Sequence, residues 1–385
     1  MKYIRIVALI AVACAASAAW GQQSAANPLN NWSEFHRTNM TRYNPYENVL
    51  NVNNVKKLRL KWSYTTGSNV NSSPAVLNGV VYIGSWDFNV YAFNASTGAK
   101  LWNYTTGGRI YSAPAVANGV VYVGSNDANL YALNATTGAK LWSYPLGIGN
   151  GDSPPTVVNG VVYVGGGAFG GNNVYALNAT TGALLWSYAT SSSVESAPAV
   201  VDGVVYVGSD DNNVYALNAS TGALLWSYTT SGFVQSSPAV ADGVVYAASD
   251  VDNGSDGDLY ALDASTGSLL WSYPIGNAED SSPAVANGVV YVGVISGEFY
   301  ALNATTGTVL WSFAADTTIN SSPAVANGVV YIGSNYGHLY ALNASTGAKL
   351  WNFATEVGEC APAVANGMVY VGSYDEATVY AFGLE

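Results

Sequence analysis

Eight tryptophans constrain this chain more than any other feature. Trp62, Trp102, Trp142, Trp186, Trp226, Trp271, Trp311 and Trp351 follow one another at spacings of 40, 40, 44, 40, 45, 40 and 40 residues. A fixed period of this size marks a repeat architecture, in which each unit buries its apolar face against the next. A typical unit reads Ser112-Ala-Pro-Ala-Val-Ala-Asn-Gly-Val-Val-Tyr-Val-Gly-Ser125 and then Asn129-Leu-Tyr-Ala-Leu-Asn-Ala-Thr-Thr-Gly-Ala-Lys-Leu-Trp-Ser-Tyr144. Asn-Gly, Gly-Ser and Thr-Gly pairs separate β-rich runs, so each unit supplies four short strands joined by tight turns. Four strands in about 40 residues is the size of a propeller blade.

The prolines agree with this reading. Pro74, Pro114, Pro155, Pro198, Pro238, Pro283, Pro323 and Pro362 each stand in the first strand segment of a unit. Proline cannot donate to a ladder and belongs on an edge, here the innermost strand facing a central channel. The eight proline units and the eight tryptophan strands are offset. Leu58 to Tyr64 has no unit before it, and the last unit ends at Phe382 with no tryptophan strand after it. The expected fold is therefore all-β: an eight-bladed β-propeller of four-stranded blades, closed by the N-terminal strand completing the last blade. Closure of this kind removes open sheet edges.

Three segments are expected: a signal peptide over 1–21, an N-terminal extension over 22–57 that packs on the propeller, and the propeller over 58–385. Lys2 and Arg5 precede an apolar run, Ile6 to Ala16, and Ala19-Trp20-Gly21 fits a cleavage site. Export to the periplasm or the outside follows. Cys14 is read as part of the apolar run, since the lipid-anchor alternative meets Ala11 where such sites want Leu. The mature chain then keeps Cys360 alone, which excludes an intramolecular disulfide. No other segment could span a bilayer. Hydrophobic residues make up 49% of the chain and charged residues 9%, which excludes disorder. A net charge of −12 repels phosphate, so no nucleic-acid partner is expected. A closed ring is expected to be monomeric.

The segment Ala92-x-Asn94-x-x-Thr97-Gly98-x-x-x-Trp102 resembles the tryptophan-docking motif of the quinoprotein-type (PQQ-repeat) propellers. It recurs with Asn134, Asn178, Asn218, Asp263, Asn303 and Asn343, and the resemblance covers about residues 30 to 382. It implies that the tryptophan of one blade packs against the next. The family includes pyrroloquinoline quinone (PQQ) dehydrogenases and non-enzymatic members, among them an outer-membrane β-barrel assembly lipoprotein. The dehydrogenases carry adjacent cysteines that close a disulfide ring against PQQ, a tricarboxylate; this chain has no adjacent cysteines. The resemblance thus points to an exported, non-catalytic binding scaffold without PQQ, the alternative being a PQQ- and Ca²⁺-dependent alcohol dehydrogenase. No Ser, Cys or His carries a recognisable catalytic pattern, and no catalytic residue is expected.

In so regular a repeat, constant positions are scaffold and departures carry information. Variation concentrates in the loops between the second and third strands and in those between blades, which share one end of the propeller. Three positions before each inner proline stand Asn71, Tyr111, Asp152, Glu195, Gln235, Asp280, Asn320 and Glu359, expected to ring the channel mouth. The same end takes 18 of the 24 acids, including Asp87, Asp127, Asp211 and Glu376, and Arg109 alone among the cations. A single-signed face attracts cations, so a basic protein or a cationic ligand is the expected partner there; solubility is the competing explanation. Asp250-Val-Asp252-Asn-Gly254-Ser-Asp256-Gly-Asp258 resembles a calcium loop, but Gly254 occupies a ligand position, which favours a solvated acidic hairpin over a Ca²⁺ site.

Overall fold

Each Val-Val-Tyr run alternates with a Tyr-Ala-Leu run and a Trp strand, and the turns between them need left-handed backbone. Asn118 and Gly119 both take positive φ, 50° and 78°, as a two-residue hairpin turn requires. The computed structural model describes residues 30–37, 40–147, 153–166, 172–251, 257–278 and 280–385. The signal-peptide expectation, Cys14, Asp152, Asp252 and Asp256 lie outside them.

Eight sheets of four antiparallel strands result, and that of blade 7 gains a short fifth strand, Tyr43–Asn44, parallel to Ala324–Ala326. Blade 1 runs Ala75–Leu77, Val80–Gly84, Asn89–Asn94 and Lys100–Thr105 from the channel outward. The inner strands of blades 2 to 8 are Ala115–Ala117, Thr156–Val158, Ala199–Val201, Ala239–Ala241, Ala284–Ala286, Ala324–Ala326 and Ala363–Ala365. Blade 8 takes its outer strand from the N-terminal part of the chain. Arg59–Thr65 pairs antiparallel with Thr378–Gly383, with Tyr64 opposite Val379. The ring is closed as the offset between prolines and tryptophans requires.

The blades are locked by the tryptophans. Trp102 donates its indole N–H to the Ala135 carbonyl of blade 2 at 2.9 Å, and the Tyr82 hydroxyl donates to the same oxygen at 3.2 Å. The pattern repeats from Trp62 on Ala95 to Trp311 on Ala344. Each ring also lies flat on the glycine of the next blade's Thr-Gly turn. A Cβ on Gly222 would stand 2.6 Å from the Trp186 ring. Trp351 departs from the pattern and packs edge-on against Phe382, with ring centroids 5.2 Å apart. The Tyr331 hydroxyl of the same blade is buried without a hydrogen-bond partner. Both differences fall at the junction where blade 8 has Gly383 and Leu384 in place of Asn-Ala.

Around the channel, side chains at the foot of each inner strand stitch neighbours together. Ser72 donates to the carbonyl of Ser112, Ser112 to that of Ser153, and Ser153 to that of Ser196. Across the seam Ser321 donates to the Cys360 carbonyl and the Cys360 thiol to the Ser72 carbonyl, at 3.3 Å. Cys360 thus replaces a serine in a structural ring. Burial pushes its thiol up to about 12, so it stays protonated and inert.

Residues 32–37 and 40–44 close the other end of the channel by meeting all eight blades in order. Trp32 exchanges two backbone bonds with Val76 of blade 1, and the Ser33 carbonyl accepts from Val116 of blade 2. The Glu34 carboxyl accepts from Val157 of blade 3 at 3.1 Å, and His36 Nε2 lies 3.2 Å from the Ala197 carbonyl at blade 4. Carbonyls of Met40, Thr41 and Arg42 accept from Val240, Val285 and Val325 of blades 5, 6 and 7. Asn44 Nδ2 donates to the Val364 carbonyl of blade 8 at 2.9 Å. Inner-strand N–H and C=O groups that would face an empty channel are satisfied in this way, as buried backbone groups must be.

Candidate functional site

With one end closed, the channel is a blind funnel open on the variable-loop side. A cavity of about 240 Å³ occupies it. Asn71, Tyr111, Glu195, Gln235, Asp280 and Glu359 form its upper wall. These are six of the eight ring positions expected from the repeat. Asn320 does not reach the wall; its Oδ1 accepts from Asn335 Nδ2 at 3.1 Å.

The geometry follows from the repeat. Each ring residue lies three positions before a proline, where the chain enters the inner strand. Two positions later comes a tier of Ser73, Ala113, Pro154, Ser237, Ser282 and Ser322, which also lines the cavity. Its serines serve the scaffold: the Ser237, Ser282 and Ser322 hydroxyls accept from the backbone N–H of Ala197, Ser237 and Ser282. Phe35 belongs to the floor. It was not expected from sequence, because no repeat unit contains it and only the path of residues 32–37 brings it to the axis.

Among the described residues three carboxylates, Glu195, Asp280 and Glu359, and no Lys or Arg line the cavity. Asn71 donates to Glu359 Oε2 at 2.8 Å, while its own Oδ1 is buried without a partner. Arg109 stands beside the wall with its guanidinium 4.7 Å from the Trp86 ring, and Trp86 packs on Tyr111 and Tyr374. In the loops that follow the second strands of blades 1, 2, 4 and 7, Trp86, Asn126, Asp210 and Asn335 hold buried polar atoms without partners. Burial pushes the Asp210 carboxyl up to about 6; a hydrogen bond from Gln235 opposes this, and Asp211 and Asp250 add to it.

Many acids of this end do a different job from the one expected of them. Asp87 Oδ2 accepts from the Gly67 N–H at 2.7 Å and the Tyr91 hydroxyl at 2.6 Å. Asp127 does the same with Gly107 and Tyr131, and Asp211 with Ser191 and Tyr215. Asp316 accepts from Ser334 and pairs with His338 at 2.5 Å, and Glu376 accepts from Tyr380 and Thr355. These carboxylates pin interblade loops to blades. The surplus of acids on this end is therefore in good part scaffold, and the carboxylates that face the cavity are those of the ring. Asp258 likewise accepts from Ser231 and Tyr260, and Asp250 sits in a bridge with Phe233. Among the described residues no group of His, Cys, Asp and Glu has metal-holding geometry, and no helix is long and apolar enough to cross a membrane.

Residues 49–152, 145–282 and 255–382 match the family described as outer membrane protein assembly factor BamB. No curated protein matches the sequence at a significant level. Among solved structures, a quinohemoprotein alcohol dehydrogenase from Comamonas testosteroni aligns with a TM-score of 0.81 at 19% identity, over 94% of this chain and 81% of its own. A second, from Pseudomonas putida HK5, gives 0.80 at 20%, over 92% and 80%. BamB from Moraxella catarrhalis gives 0.72 at 21%, over 85% of this chain and 100% of its own. Identities this low establish a shared fold and leave the chemistry to the site.

Proposed function

Because the chain belongs to the family of the outer membrane protein assembly factor BamB, we propose that it is an exported, non-catalytic scaffold that receives a basic protein segment or cationic ligand at its channel mouth. One observation carries this reading: among the described residues the cavity wall presents Glu195, Asp280 and Glu359 and no cation. Carboxylates gathered around a walled funnel focus negative potential on whatever enters it. Tyr111 and Phe35 add aromatic surface on which a cationic head can rest.

The dehydrogenase alternative is opposed by the same wall. PQQ brings three carboxylates, while the Arg42 guanidinium beneath the floor is committed to backbone carbonyls and the Phe35 face and Arg109 lies over the Trp86 face. Cys14 and Cys360 are the only cysteines and cannot form an adjacent pair. The residues present do not fit that cofactor, and in this reading the protein works without PQQ or Ca²⁺.

The test is titration of the purified mature protein with a lysine-rich peptide and an equally long glutamate-rich one. Binding of the basic peptide alone is expected. The combined variant Glu195→Gln, Asp280→Asn, Glu359→Gln should weaken it, chiefly through the association rate and less at high salt, because steering is screened beyond about 8 Å at physiological ionic strength. Unchanged binding by the variant, or dye-linked alcohol oxidation on adding PQQ and Ca²⁺, overturns the reading.

A further inference from the structure

The cations of this protein are segregated. Of the 12 Lys and Arg residues, Lys2 and Arg5 lie outside the described residues, Arg37 and Arg42 belong to the channel floor, and Arg109 stands at the mouth. The remaining seven are Lys56, Lys57, Arg59, Lys61, Lys100, Lys140 and Lys349. All seven are exposed, and all lie on or beside the outer strands of blades 7, 8, 1 and 2. Four of them, Arg59, Lys100, Lys140 and Lys349, are the first residue of their strand, which places them at the end carrying the Thr-Gly turns, away from the cavity. The outer strands of blades 3 to 6 carry no charge at all: Leu184–Ala189, Leu224–Thr229, Leu269–Pro274 and Val309–Ala314.

None of the seven meets a carboxylate. The one ion pair among the described residues joins His338 to Asp316, on the opposite end. A chain with twice as many acids as bases leaves its largest group of cations without an internal counter-charge. Solubility does not account for their placement, since an even distribution would serve it equally well. Exposed apolar side chains stand among them: Leu60 is 44% exposed, Leu101 52% and Leu141 51%; the same strand positions are exposed on blades 3 to 6, Leu185 at 50% and Leu270 at 52%, so what sets this arc apart is that cations join them. Tyr46 and Val49 are 43% and 44% exposed on the same end, where Val49 lies against the Asn-Gly turn of blade 8.

We propose that this arc is a docking surface for an anionic phospholipid bilayer. Cations interleaved with exposed Leu, Val and Tyr match a membrane interface, where Lys and Arg meet headgroups and short apolar side chains enter the acyl boundary. A nucleic acid or acidic polysaccharide would use the charge alone, whereas a bilayer uses the coincidence of charge with exposed Leu60, Leu101, Leu141, Tyr46 and Val49 that only this arc offers. Docking by this arc turns the cavity mouth away from the membrane, open to soluble partners.

Vesicle flotation tests the proposal, using the mature protein with phosphatidylglycerol-rich and pure phosphatidylcholine vesicles. Co-flotation with the anionic vesicles alone is expected at low salt. Two variants of equal net charge separate a local surface from overall charge. Lys56→Gln, Lys57→Gln, Lys100→Gln, Lys140→Gln should reduce partitioning at least tenfold, given the contribution of each basic residue at an anionic surface. Ser187→Glu, Ser227→Glu, Ser272→Glu, Ser312→Glu, on the uncharged arc, should keep most of it. Leu60→Ser, Leu101→Ser, Leu141→Ser should lose the fraction that survives raised salt. Thermal unfolding checks that each variant is folded. No flotation with anionic vesicles, or equal losses in the two charge variants, overturns the proposal. Tight binding to polyglutamate or heparin without vesicle binding also overturns it and assigns the arc to a soluble polyanion.

Discussion

The guanidinium of Arg42 lies 4.4 Å from the Phe35 ring centroid, and its Nη1 donates to the Phe35 carbonyl at 2.6 Å. Arg42 is fully buried, and its Nε donates to the Pro323 carbonyl at 2.8 Å. No carboxylate pairs with it, so backbone dipoles and the aromatic face carry the charge. Burial holds this guanidinium well below its ordinary value, near 9. One residue therefore ties the cavity floor to the inner strands of blades 7 and 8, since its Nη2 also reaches the Pro362 carbonyl at 3.4 Å.

Replacing Arg42 should open the floor. Arg42→Met keeps length but strands buried carbonyls that each cost about 1–3 kcal/mol when unpaired. A loss of about 2–4 kcal/mol in denaturant unfolding is expected. Arg42→Lys should rescue little, because an ammonium cannot reproduce the planar fork over Phe35. Full stability in both variants would show that the floor does not depend on this residue.

The floor should also set the pH dependence of stability. Burial raises Glu34 to about 8, against the opposing hydrogen bond from Val157. Between about 4.5 and 8 the unfolded state loses this proton while the folded state keeps it, so stability falls as pH rises through that window. Burial lowers His36 to about 4, with Arg42 adding to it and the Ala197 carbonyl opposing. From 6.5 down to about 4 the unfolded state binds the proton alone, so stability falls as pH falls there. Glu34→Gln should gain stability at pH 8 and flatten the alkaline limb. Urea melts at pH 4.5, 6 and 8 measure both limbs; an unchanged alkaline limb in the variant would contradict the assignment.

Two glycines with nearly equal dihedrals should respond differently. Gly222 and Gly203 have φ of 72° and 79°. A Cβ on Gly203 meets nothing within 4 Å, so Gly203→Ala should cost only the backbone strain, about 1–2 kcal/mol. Gly222→Ala must in addition displace the Trp186 ring. It should cost at least 1 kcal/mol more and reduce the protection of the Trp186 indole proton in hydrogen exchange. Equal losses would mean that the tryptophan is not docked.

Structural and ligand-facing acids should separate cleanly. Asp211→Asn weakens the acceptor of Ser191 N–H and the Tyr215 hydroxyl, and should lower stability by about 1–2 kcal/mol with basic-peptide binding unchanged. Glu195→Gln should do the reverse. If Asp211→Asn reduced peptide binding as much as Glu195→Gln at equal stability, the division of acids into the two groups would be wrong.

Repetition made most of the architecture readable in the residues themselves. The tryptophan period, the Asn-Gly turns and the inner prolines are local signals, each reporting a strand edge or a backbone angle, and the offset between Trp62 and Pro362 already required a closing strand. The channel-mouth ring was readable for the same reason: equivalent positions in a closed repeat must form a circle, and Asn71, Tyr111, Glu195, Gln235, Asp280 and Glu359 do. Residues 32–37 and 40–44 have no repeat and no periodicity, and their contacts span up to 320 residues of sequence, as between Asn44 and Val364. Only the folded ring creates the eight unsatisfied inner edges that give this segment its path, and only that path brings Phe35 and Arg42 to the axis. The roles of the acids were decided at the same level. Asp211 and Glu195 are both carboxylates in variable loops of blade 4, and three-dimensional packing alone gives Asp211 a tyrosine and a backbone amide as partners while placing Glu195 on the cavity wall.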